Sequence, residues 1–247
     1  MLRIENKAAF ADALLGARLP GFEPADRRLI TRLVLGTTAW RARLDYEIEQ
    51  LAGRPALGIQ PQVLMILRMG LFQLRFLDRI PPHAVVDTSV ALAKMTDAAR
   101  IGAGFINAML RRAARETISL PARGRDEAQW LAISYSHPRW LAERFIQSFG
   151  VEDAEHLMAA DNEAAPNTIR LNLSRGSHAE LTEKLETDGI RIAKEGRAPE
   201  TLILDGAPDF TSRAWREGLF HAQSETSQLV ARMLGARTGT TVLDCAA

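Results

Sequence analysis

From Asp26 to Arg115 the apolar residues recur at three- and four-residue intervals and never alternate with polar ones, so this half of the chain must build its core from helices. Leu29, Ile30, Leu33 and Val34 set one stripe within Asp26–Trp40. Leu44, Ile48 and Leu51 extend the spacing as far as GRPALGI, which interrupts it. Pro61 suits the first turn of the next helix, which carries Val63, Leu64, Leu67, Leu71 and Leu74. Pro81 and Pro82 close that helix and open another, with Val85, Val86, Val90 and Ala93. In the last, Ile101–Arg115, Phe105, Ile106, Met109 and Leu110 turn inward, and Arg111, Arg112 and Arg115 gather at its end. The spacing predicts an all-α bundle over residues 1–122.

The texture changes after PARGRDE (121–127), which reads as a linker. Residues 128–163 stay helical, with Pro138 at a start and Gly150 after an end. NTIRLNL then alternates as a strand does. Ser177 and Glu180 predict a capping box for a helix Ser177–Asp188 that Gly189 ends. IRIAK and TLILD are short strands around the loop EGRAPE. LFHAQ precedes a helix through Ser227–Leu234, and TTVLDCAA follows as a further strand. The expected organisation is a small α+β region over 126–222 and a separate beginning over 223–247.

A chain of 247 residues, 47% hydrophobic and 25% charged, can bury one large or two ordinary cores. No run of about 18 apolar residues is present, so no transmembrane helix is expected. The N-terminus is too polar for a secretory signal, which together with a single cysteine points to the cytoplasm. Cys245 alone excludes an intrachain disulfide and a cysteine metal cluster, and the five histidines lack ligand spacing, so no metal is assigned. The net charge of +1 conceals an asymmetry. Residues 1–125 hold 19 Lys/Arg against 11 Asp/Glu, and residues 126–247 hold 12 against 19. A basic module joined to an acidic one favours a polyanion such as RNA, with Arg-rich helices bearing solvated faces as the plainer reading.

LRMGLFQLRFLDRIPPHAVVDTSVALAK (Leu67–Lys94) and GFINAMLRR (Gly104–Arg112) resemble the NusB domain, an RNA-binding helical fold, over most of residues 1–120. Where that family typically carries an Arg-rich N-terminal segment, this chain has Arg3 and Lys7. The continuation resembles the Sun/RsmB family of 16S rRNA 5-methylcytosine methyltransferases in four ordered pieces: SHPRWLAERF (Ser136–Phe145), NTIRLN (Asn167–Asn172), QSETSQLVARML (Gln223–Leu234) and TTVLDCAA (Thr240–Ala247). The fold this implies is mainly α: a NusB-like bundle, a small α+β region, and the truncated first strand of a Rossmann-like methyltransferase domain. The implied cofactor is S-adenosylmethionine, with Asp244 ending that strand and Ala246 and Ala247 opening the turn beyond it. The implied partner is RNA, 16S rRNA in particular, with neither DNA nor a membrane involved; no protein partner is indicated.

Methylation at cytosine C5 requires a thiolate that adds to C6. The resemblance places two such cysteines well beyond motif I, and the one thiol here, Cys245, is expected to be a small buried residue of the motif I strand. No catalytic residue is therefore assigned, and residues 1–247 alone are expected to be inactive. Residues from about 223 onward are expected to be frayed, docked irregularly or aggregation-prone as an open edge, because a lone parallel strand lacks neighbours. His83 is expected to cap or pack, and Trp140 and Phe145 to lie in the core. Arg111, Arg112 and Arg115 contact RNA or serve the helix dipole. Arg170 and Asn172 face RNA or form an ordinary surface strand. The rival functions are a NusB-type antitermination factor and a protein-interaction module.

Overall fold

Helix α5 (Pro61–Phe76) has apolar residues on nearly every side, and it lies at the centre of the helical bundle. A computed structural model describes residues 1–7 and 9–245, without the side chains of Asn6, Lys7, Asp12, Asp97 and Ala98. Around α5 stand α1 (Leu2–Lys7), α2 (Ala11–Arg18), α3 (Pro24–Ala39), α4 (Arg41–Ala52), α6 (Pro82–Lys94), α7 (Asp97–Arg100) and α8 (Ala103–Ala113). Leu44, Ile48, Leu67, Leu71, Ile106 and Leu110 are fully buried between them, each stabilising the fold by about 1.5–3 kcal/mol through lost hydration. A Cβ on Gly36 would lie 2.0 Å from the Phe72 ring, so only glycine lets α3 approach α5 this closely. Leu29 of α3 is nevertheless exposed, contrary to its place in the expected stripe: the N-terminal half of α3 extends past the core.

The charges inside this bundle are paired. Arg68, buried on α5, donates Nε and Nη2 to the Asp45 carboxylate at 2.6 and 2.7 Å, and its Nη1 lies 3.2 Å from Glu5. Glu47 is buried between the Arg43 and Arg75 guanidiniums, both at 2.8 Å. Each pairing removes the cost of an isolated buried charge.

Two more helices, α9 (Glu127–Ser134) and α10 (Arg139–Asp161), belong to this same unit, which extends to Glu163. Segment 121–127 is held in place: Arg123 lies over the Trp130 ring at 4.4 Å and donates to Glu155 at 2.6 Å, and Asp126 caps α9. Ser136 has φ +57°, and its hydroxyl accepts from the Ala42 amide at the start of α4. Gly150, at φ +83°, breaks α10 into two helical stretches, so the expected helix end is a kink after which the helix resumes.

The second unit runs β1 (Thr168–Leu171), α11 (His178–Thr187), β2 (Ile192–Glu195), β3 (Thr201–Leu204), α12 (Arg213–Arg216), β4 (Phe220–Ala222) and α13 (Glu225–Met233). The strand order is β2-β3-β1-β4 with every pairing antiparallel. That β-α-β-β-α-β order is the ferredoxin-like arrangement. Ile169, Leu171, Leu202, Leu204 and Phe220 fill one face against Leu181 and Leu185 of α11. The capping box is complete: the Ser177 hydroxyl accepts from the Glu180 amide, and the Ser177 amide donates to Glu180 at 2.9 Å.

Beyond β4 the expectation of fraying needs correcting for residues 225–233. Helix α13 is anchored by Gln228, which is buried although polar: Oε1 accepts from the Thr201 hydroxyl at 2.7 Å, and Nε2 donates to the Gln223 and Ile169 carbonyls. The expected strand TTVLDC does not form; residues 241–244 are irregular, and among the described residues no adjacent strand supplies ladder partners. Cys245 is exposed rather than buried. Ala246 and Ala247 lie outside the described residues. Among the described residues no helix is long and apolar enough to cross a membrane.

Candidate nucleic-acid interface

The basic character of the helical unit is only partly available at its surface, because Arg43, Arg68 and Arg75 are tied to interior carboxylates. The three arginines at the end of α8 divide in the same way. Arg112 turns back to α4, donating to the Leu51 carbonyl at 2.9 Å and to Glu116 at 2.8 Å. It thereby satisfies one of the carbonyls that the end of α4 leaves open. Arg111 bonds Asn107 through Nε alone. Arg115 has no partner among the described residues and is exposed.

Arg111 and Arg115 line one groove with Pro82, His83, Val86 and Asp87 of α6. The floor of that groove is the start of α6, where Pro81 offers no side-chain cap. Pro82 has no N–H and the Ala84 amide donates to the Pro81 carbonyl at 3.0 Å, so of the first-turn amides only that of His83 has no acceptor among the described residues, at the positive end of the helix dipole. Two guanidiniums facing such a helix start can bind phosphate, as charge-assisted donors in a fixed geometry. The three arginines thus differ in their surroundings: Arg112 ties back to α4, and Arg111 and Arg115 line the groove. His83 neither caps nor packs; it is exposed at the groove. Its site was missed because a lone histidine carries no spacing signal, and only the packing of α6 on α8 brings it beside the arginines.

The remaining predicted residues lie elsewhere. Arg3 is exposed on α1, whose Glu5 reaches Arg68 and Arg41; the Lys7 side chain is outside the described residues. Arg170 of β1 stands between Thr201 and His221 in register, on the sheet face opposite α11. Asn172 is engaged locally: Nδ2 donates to the Gly218 carbonyl at 2.9 Å, and Oδ1 accepts from Ser174. On that face β1 and β3 show Thr168, Arg170, Thr201 and Ile203, β4 adds the exposed His221 beside Arg170, and α13 covers Thr201.

Of the residues that the resemblance places at S-adenosylmethionine, only Asp244 is among the described ones. Asp244 stands on no strand; Cys245 after it is in a turn, and Ala246 and Ala247 lie outside the described residues. No chemical step is derived through that cofactor.

Comparison with known proteins agrees with this architecture. Residues 2–115 match the NusB family, and residues 137–211 match the Methyltr_RsmF/B-like, ferredoxin-like domain. A helical NusB unit followed by that α+β unit defines the class, a NusB-domain protein that also carries an RsmF/B-like ferredoxin-like domain. Over its whole length the chain is 31% identical to a probable ribosomal RNA small subunit methyltransferase B of Bacillus subtilis, covering 56% of it. A Synechocystis relative of the same description is 33% identical across 99% of the chain and 56% of the relative. The Pseudomonas putida ribosomal RNA small subunit methyltransferase B is 33% identical across 98% of the chain and 54% of the relative. The chain belongs to the Sun/RsmB family, matching its amino-terminal part and spanning about half the length of these relatives. The crystal structure of PH0851 superposes with a TM-score of 0.64 at 21% identity, over 89% of this chain and 49% of that one, which supports the fold.

Proposed function

We propose that this chain recognises 16S rRNA on behalf of an S-adenosylmethionine-dependent cytosine-C5 methyltransferase in the cytoplasm. The observation that carries the reading is the groove in which Arg111 and Arg115 face the uncapped start of α6. Such a groove holds RNA by its phosphates and so positions it without reading sequence. Arg3, Lys7, Arg170 and Asn172 supply further contacts in this proposal; Asn172 acts through the turn it fixes. The names of the curated relatives support ribosomal RNA as the substrate of the whole protein, and the NusB match supports RNA binding. S-adenosylmethionine serves the complete enzyme. The ferredoxin-like unit favours this reading over a free antitermination factor.

The test is binding of a 16S rRNA fragment by residues 1–247 across a salt series. The double variant R111A/R115A is expected to weaken binding and to flatten the log–log salt slope by about 2, one counterion per lost phosphate contact. Unchanged affinity and slope in the variant would remove the groove from the interface.

A further inference from the structure

Of the large apolar residues that helix α10 leaves exposed, Trp140, Phe149 and Leu157, the indole of Trp140 is the most open. Trp140 is 67% exposed, whereas Ala142, Phe145 and Ile146 of the same helix turn toward Ala128, Leu131 and Ala132 of α9. Its expected place in the core is corrected for a geometric reason: α9 covers only one side of α10. One turn onward, Arg144 is exposed and without a partner among the described residues. The carboxylates nearest in sequence do not neutralise it. Asp126 and Glu143 both accept from Arg139, at 2.7 and 2.8 Å. The Gln129 amide first, and then the same guanidinium, hold the Asp126 carboxyl below its ordinary range, so this acid is ionised and committed. What remains on the surface is an indole face with an uncompensated guanidinium four residues along the helix, within about 6 Å at the Cβ atoms.

We propose that Trp140 and Arg144 form a subsite for one unpaired RNA nucleotide, its base stacked on the indole and its phosphate bound by the guanidinium. An exposed aromatic beside a free cation is the combination that single-stranded nucleic acid requires, because every base has a face and every linkage a charge. A duplex keeps its bases stacked on one another and cannot use the indole. The proposal rests on the RNA-binding reading above and adds to it a preference for an unpaired segment. Phosphate grooves hold double- and single-stranded RNA alike, and this subsite discriminates between them.

The experiment uses the full 247-residue chain with a fluorescein-labelled single-stranded RNA dodecamer, and the same strand annealed into a duplex. W140A is expected to weaken single-strand binding roughly tenfold and to leave duplex binding unchanged. W140F, which keeps a ring, is expected to retain most of the affinity. R144A is expected to reduce the single-strand salt slope by about 0.7. Both positions are exposed, so melting temperatures should not move; if W140A unfolds, W140F and R144A carry the test. Wild-type single-strand affinity in W140A overturns the subsite. If R111A/R115A weakens both RNA forms while W140A and R144A change neither, the subsite alone falls. If the wild-type chain binds neither form, the RNA-binding reading falls with it.

Discussion

Arg112 and Arg115 are three residues apart at the end of α8, and the structure gives them different work. Arg112 spans to the Leu51 carbonyl, so R112A is expected to lower stability by about 1 kcal/mol, discounted because half of the side chain is in water. The same variant should leave the RNA salt slope unchanged. R115A is expected to do the reverse, with an unaltered urea midpoint and a slope smaller by about 1. Paired urea melts and salt titrations check both outcomes. The sequence could place the three arginines on one helix end, since that follows from periodicity alone. It could not separate them, because the acceptor of Arg112 lies on α4, 61 residues away. Trp140 shows the same limit. A helical repeat tells which residues share a side, not whether another helix covers that side, and α9 covers Phe145 but not Trp140.

Elements whose determinants are local were legible in full. The capping box is an example: Ser177 and Glu180 close on each other, and α11 starts where they predict. The Ser177 amide first, then its hydroxyl, hold the Glu180 carboxyl below its ordinary 4.5. A carboxylate with a lowered folded pKa contributes stability that is complete above its unfolded value and is lost as pH falls through the folded one. Urea melts between about pH 6 and about pH 3 should show this loss in the wild type and none from this site in E180Q. Helix α13 was legible as a helix but not as part of the ferredoxin-like unit, because its anchor is polar. Q228A would leave the Thr201 hydroxyl and the Ile169 carbonyl without their buried partner, and is expected to cost about 1–3 kcal/mol. Amide exchange in residues 225–233 should be slow in the wild type and fast in Q228A. The segment TTVLDC reads as a strand from its β-branched and apolar residues, yet a strand exists only through its neighbours, and none pairs with it among the described residues.

At the scale of the molecule, the chain is two units with their own cores, and the division falls between Glu163 and Ala164. A fragment of residues 1–163 is therefore expected to fold with a helical circular dichroism spectrum and a cooperative melt. A fragment ending near residue 122 should be less stable, because it loses α9, α10 and the Ser136 contact with Ala42. That contact also bears on the order of events in folding. Ser136 and Ala42 are 94 residues apart, and closing so long a loop costs roughly 4 kcal/mol of chain entropy beyond a constant. The Ser136 hydroxyl cannot repay that before α4 exists, so the α9–α10 pair is expected to dock after the rate-limiting step, onto a bundle already made. S136A should then unfold faster and refold at the wild-type rate, a φ-value near zero in stopped-flow urea chevrons. During synthesis, the bundle can be complete while the helices that will join it are still being made.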